Sequence, residues 1–310
     1  MMDIQAVMDN WSAFKQEVPD TIEVFELRRL SIDDLKRRLR RLLKGGGNAC
    51  DRQFDHGEWT THDDRTFVRL PDGASGVVYH ASGAMKLHTG LAPMAHLFAE
   101  PEARGAHVKR GEAYLDSLDV RALLGHGETL SFERLWQIKA RAFDLDGRGL
   151  EPVLCRAVAA FRQHVRGVPV LGAASVAVQM AGEGRLDTVS THLRGSVGGT
   201  LDKAKVLSPE RGARALAQQL ATLMHGGGDV AQIESRDGMR FGYLSMGKRK
   251  LQRLLAPVYM ASVEVARERV RQACVLVVSA TERNYLPLNP PGHEYPVSAI
   301  GKLASRRCCG

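Results

Sequence analysis

SVAVQM (residues 175–180), the turn AGEG (181–184) and RLDTVSTHL (185–193) form the stretch on which the fold is read. Apolar and polar residues alternate in both runs, and a glycine pair around Glu183 separates them. A period of two places successive side chains on opposite faces, so the stretch predicts an antiparallel hairpin with one buried and one wet face. Upstream, Val168 to Leu171, Val153 to His164 and Leu130 to Phe143 also read as strands, with a turn at Asp146-Gly147. Downstream, Val258 to Val265 and Val270 to Ser279 continue the pattern.

Helices interrupt these strands singly. Ser208, Pro209 and Glu210 form a start signal before Ala213, Leu216, Leu220 and Leu223, and Gly226-Gly227-Gly228 ends that helix. Nearer the N-terminus, TIEVFELR (21–28) reads as a strand. Ser31 and Asp34 then cap a helix whose apolar stripe is Ile32, Leu35, Leu39, Leu42 and Leu43. Residues 58–89 read as a meander turning at Pro71-Asp72-Gly73 and Ser82-Gly83, and a helix is expected from His107 to Leu124, before Gly125. Runs of strands beside single helices indicate an α+β fold with antiparallel curved sheets, not a doubly wound parallel one. Two similar halves are expected, 1–126 and 127–288, followed by an irregular basic tail, 289–310.

The segment QHVRGVPVLG (163–172), with the hairpin that follows it to Leu193, resembles the FTP module in propeptides of fungalysin- and thermolysin-type metalloproteases. Gly167 and Pro169 shape a bend, Gly172 permits a close turn and Gly184 closes the hairpin. More loosely, helix plus curved meander resembles cystatin-like and PepSY-like domains. The resemblance implies a protein that binds, inhibits or chaperones peptidases.

At 310 residues and 44% hydrophobic, the chain can bury a sizeable core, and 25% charged residues is ordinary for a globular protein. Met1 to Phe25 shows no cationic head followed by an apolar run, and no stretch approaches the roughly 18 apolar residues that span a bilayer. A cytoplasmic protein with no membrane association is expected. The five cysteines are irregularly spaced, which fits reduced thiols. Net charge is +8, but the densest basic cluster, residues 36–41, is the solvated face of a helix, without aromatic residues to stack bases, so no nucleic-acid partner is expected.

Motifs for catalysis are missing. No His-Glu-x-x-His is present; His56, His62, Asp63 and Asp64 lack metal-ligand spacing, and no cofactor or metal is expected. In GYLSMG (242–247) the first glycine lies three residues before the serine, where a nucleophile elbow needs two. Asp144, Asp146, Gly147, Gly149 and Glu151 read as a hairpin turn in preference to a calcium loop. The expected function is therefore non-catalytic binding of a peptide or protein, as by a propeptide-like binder or an accessory protein holding a precursor peptide for tailoring enzymes in peptide natural-product biosynthesis. Strand addition at a sheet edge supplies the mechanism. The expected contacts are Arg162, His164, Arg166 and Val168, with His192 and Arg194 at the facing hairpin end, and dimerisation through sheet edges is possible on the same grounds. The alternative is an enzyme with a dispersed site, drawing on His80, His88, Cys155 and Glu133.

Overall fold

A computed structural model describes residues 4–45, 57–100, 102–144, 146–194, 197–225, 232–267 and 270–288. It is α+β, with four α-helices and fifteen strands among the described residues. Cys50, His56, Cys308, Cys309 and the expected tail lie outside them. The chain divides into two compact units. One is drawn from residues up to Ile22, Ala204–Phe241 and from Val258 onward, and the other from Glu23–Lys203 and Gly242–Pro257.

In the first unit, α1 (Ile4–Ser12) and α4 (Pro209–His225) pack together, and α4 lies against β15 (Val270–Ser279). β15 pairs antiparallel with β14 (Pro257–Arg267) from Val258↔Ser279 to Arg267↔Val270, and β14 is flanked on its other side by β12 (Gln232–Leu244). Trp11, Leu216, Leu220, Phe241 and Tyr259 fill the core. Gly212 is where helix meets sheet: a Cβ there would stand 2.4 Å from the Tyr259 ring, so only glycine allows this approach. The Tyr259 hydroxyl donates to the Leu207 carbonyl at 2.6 Å.

The second unit holds the meander β2 (Glu58–Thr61), β3 (Arg65–Arg69), β4 (Ser75–Tyr79) and β5 (Met85–His88). It continues through β10 (Leu186–Thr191), β9 (Val176–Met180) and β7 (Val153–Val165), which carries β6 (Glu128–Ala140) on its other side and β8 (Val168–Leu171) near its end. Neighbours are antiparallel except β8, whose Val170 and Leu171 run parallel to Tyr243 and Leu244 of β12. Helix α2 (Ile32–Gly45) packs on β4 and β5, and α3 (Arg104–Ser117) on β6, β7 and β9. Leu35, Leu39, Leu115, Phe161, Val178 and Val189 meet between helices and sheet. In the same unit β1 (Thr21–Leu27) lies between β11 (Val197–Lys205) and β13 (Leu254–Leu255).

Ser31 caps α2 as expected: its Oγ accepts from Asp34 N–H at 3.1 Å and donates to the Asp34 carboxylate at 2.7 Å. Three expectations need correction. Ile32 is 42% exposed, because it sits in the first turn of α2, ahead of the buried stripe. The helix expected from His107 to Leu124 closes at Ser117 and gives way to a 3-10 turn, Val120–Leu123. The chain also does not divide at residue 126, since β5 pairs with β10 from Thr188↔His88 to Thr191↔Met85 and a cut there would split one sheet.

Candidate functional site

Strand β7 was expected to offer an edge. The structure closes both of its sides, with β6 along one and β9 and β8 along the other. The turn into β8 has Arg166 at φ 49° and Gly167 at φ 81°, the two positive values that a tight two-residue hairpin demands.

The six expected contacts accordingly take internal roles. Arg162 is buried; it donates to both carboxylate oxygens of Glu133 at 2.6 Å and to the carbonyls of Val170 and Ala173 at 2.8 Å. It thereby braces the bulge where Glu133 is skipped in the β6–β7 register. His164 and Val168 are half-buried, and burial lowers the His164 pKa. Arg166 is exposed, paired with Glu23 and stacked 5.2 Å over the Phe25 ring. His192 is buried, and its Nε2 has no partner; burial first, then Arg194 and Lys248, bring its pKa down to about 4. Arg194 is 3% exposed, its backbone N–H donating to Gln163 Oε1 at 3.0 Å. The alternation in RLDTVSTHL predicted a wet face, yet Thr188 and His192, opposite in phase to Val189 and Thr191, are buried too, so both faces of that strand are covered. These six residues do not form one contact surface.

The open border lies one strand further out. β6 runs for 13 residues with β7 as its partner among the described residues, and its outer N–H and C=O groups pair with no other strand. Its hairpin with β7 extends past the end of β9: β9 reaches only Ala157, while β6 and β7 stay paired to Ala140↔Val153. The tip then closes through a Phe143↔Gly149 bridge and the Asp144 carboxylate, which accepts from Arg148 N–H at 2.7 Å. The acidic cluster is thus a hairpin turn, as expected. Large apolar side chains collect on this arm: Trp136, Ile138, Phe143, Leu150 and Val153 are all exposed. Arg134 sits 5.1 Å from the Trp136 ring and Arg141 5.9 Å from the Phe143 ring.

Other strand ends differ. β2 is four residues long, and on β15 the Val277 N–H is taken by the Gln219 side chain of α4. The residues considered for an enzyme are tied to separate partners. His80 bonds Thr66 Oγ1 and the Asp63 carbonyl, His88 bonds Thr188, Glu133 holds Arg162, and the Cys155 thiol faces the Val153 carbonyl. The one sequence signal for the open border was FERLWQIKA (132–140), where large apolar residues sit among charges without the strict alternation of a half-buried strand.

No family model and no curated protein matches the chain. Among solved structures, it is similar to an uncharacterized protein from Eubacterium rectale ATCC 33656, with a TM-score of 0.54 and 9% identity over 86% of each chain. At that identity the likeness is one of fold. No described helix is long and apolar enough to cross a membrane.

Proposed function

We propose that this chain is a non-catalytic binding protein that captures an extended segment of a peptide or partner protein by strand addition along the outer border of β6. The observation that carries this reading is the border itself: the outer backbone groups of a 13-residue strand pair with no other strand among the described residues, on a hairpin arm that also displays Trp136 and Ile138. A long edge with apolar side chains is costly to leave open, because it invites pairing with an extended chain, so a bound segment accounts for it. Backbone hydrogen bonds would supply affinity, and side chains on alternate positions would supply selectivity. With Trp136 37% exposed, covering the remainder of a side chain of roughly 250 Å² removes about 90 Å² from water, worth about 2 kcal/mol. The likeness of residues 163–193 to propeptide modules points to the same class, and an accessory role in presenting a precursor peptide to tailoring enzymes is its most specific form. The setting is cytoplasmic, where Cys155 and Cys274, neither of them in a disulfide, stay reduced.

The test is an affinity pull-down from the native host, with mass spectrometry extended to small peptides, run with the wild type and with Ile138→Lys, which places a charge on the border without touching the core. One recurrent peptide or protein retained by the wild type and lost from the variant supports the proposal. Equal recovery by both chains refutes it, as does pairing of the border with a second copy in sedimentation.

A further inference from the structure

Buried arginines in the larger unit divide into two kinds. Arg156 and Arg162 are compensated: Arg156 bonds Asp187 at 2.6 Å and three carbonyls, and Arg162 is held by Glu133. Arg194 is buried to the same degree, yet its guanidinium reaches only neutral oxygens, Ser245 Oγ at 2.9 Å and the Met246 carbonyl. No carboxylate pairs with it among the described residues, and burial alone lowers its pKa to about 10. A buried charge without a counter-charge costs several kcal/mol after relaxation, a cost that an incoming oxyanion would offset.

Arg194 lines a cavity of about 360 Å³, within the size range of small-molecule sites. Arg28, Arg29 and Arg253 also line it, and none of them forms an ion pair among the described residues. Glu26, an exposed side chain, is the one carboxylate in the lining, and Leu30 and Leu35 supply apolar wall. The loop carrying Arg253 is stiff, since Gln252 donates to the Leu244 and Leu254 carbonyls and accepts from Met246 N–H. A preformed, largely cationic cavity with a leucine wall fits an oxyanion on a short apolar stem, since the guanidinium fork matches carboxylate and phosphate alike.

We infer that this cavity binds a small molecule bearing a carboxylate or phosphate on a short apolar stem, with Arg194 gripping the oxyanion and Arg28, Arg29 and Arg253 drawing it in. The site is independent of strand addition at β6.

Isothermal titration of the full chain with octanoate, with hexyl phosphate and with neutral 1-octanol tests it. Saturable binding of at least one anion and none of octanol is expected, and the tighter anion identifies the head group. The double variant Arg28→Gln/Arg253→Gln alters exposed side chains and leaves the core intact; it should bind about tenfold more weakly or worse, while Arg37→Gln, outside the lining, binds as the wild type does. Arg194→Lys should lose binding while keeping the charge, because the fork is gone. The inference is overturned if neither anion saturates below about 10 mM, if octanol binds equally, or if the double variant matches the wild type.

Discussion

His192 should make the protein's stability depend on pH in a window that one substitution can remove. The residue is 9% exposed, with no partner for Nε2, and burial brings its pKa down to about 4 from an ordinary 6.5. Folded protein therefore resists the proton that unfolded protein accepts. Above pH 6.5 the ring is neutral in both states and its contribution to stability is complete. As pH falls from 6.5 towards 4 the unfolded state binds more protons, and stability drops by about 1.4 kcal/mol per pH unit, reaching roughly 3 kcal/mol in all. His88, His107 and His164 are also lowered by burial and add to the raw slope, so the informative quantity is the wild type minus His192→Leu. Urea unfolding at half-unit steps from pH 4 to 7.5 measures it. The two chains should differ by a quantity that changes by about 3 kcal/mol across the window and is flat above pH 6.5. A difference that stays constant from pH 4 to 7 would show that His192 takes up its proton without cost, and the reasoning would fail.

Three further outcomes follow from the packing. Arg156→Met removes the cation paired with Asp187, leaving the Gln179 amide as its remaining side-chain donor, in a pair whose side chains are 4% and 10% exposed, and should cost about 3–5 kcal/mol in urea unfolding, whereas Arg37→Met, from an exposed pair with Asp34, should cost less than about 1 kcal/mol. Gly242→Ala sets a Cβ 2.3 Å from the Pro169 carbonyl oxygen, a backbone atom that cannot swing aside, so a loss of about 1–3 kcal/mol and a lower Tm are expected in calorimetry. Tyr114→Phe removes a hydroxyl that donates to the Gly184 carbonyl at 2.6 Å; about 1 kcal/mol of stability should go with it, and amide exchange should quicken at the β9–β10 turn.

Local signals carried the parts of the fold that local physics determines. The glycine turn at 182–184 is a turn because Glu183 and Gly184 take φ 56° and 70°, and α2 begins at its Ser31 cap. In VGGTLDKAK (197–205) and QIESRDGMRFGYL (232–244), two glycines and a run of charges hide the period of two that marks a strand. Those strands are held by partners distant in sequence, as Tyr243 is by Val170 and by the Glu23 carbonyl that accepts from its hydroxyl. The border was misplaced for the same reason. Nothing inside QHVRGVPVLG reveals that β6, about 30 residues earlier in the chain, closes its outer side.

Arginines show why the candidate sites could not be separated by sequence. Arg156 and Arg162 stand within strand β7 and Arg194 just past the end of β10, yet all three end up buried. Their roles diverge through carboxylates supplied from elsewhere: Asp187 lies 31 residues from Arg156 and Glu133 lies 29 from Arg162, while no carboxylate among the described residues pairs with Arg194. A charge that the fold neutralises belongs to the scaffold. One that it buries without a carboxylate among the described residues, beside a cavity lined by three more arginines, is the ground for the anion site we infer there. The same logic of unmet pairing applies to the outer backbone of β6, where the partner we propose is an added strand.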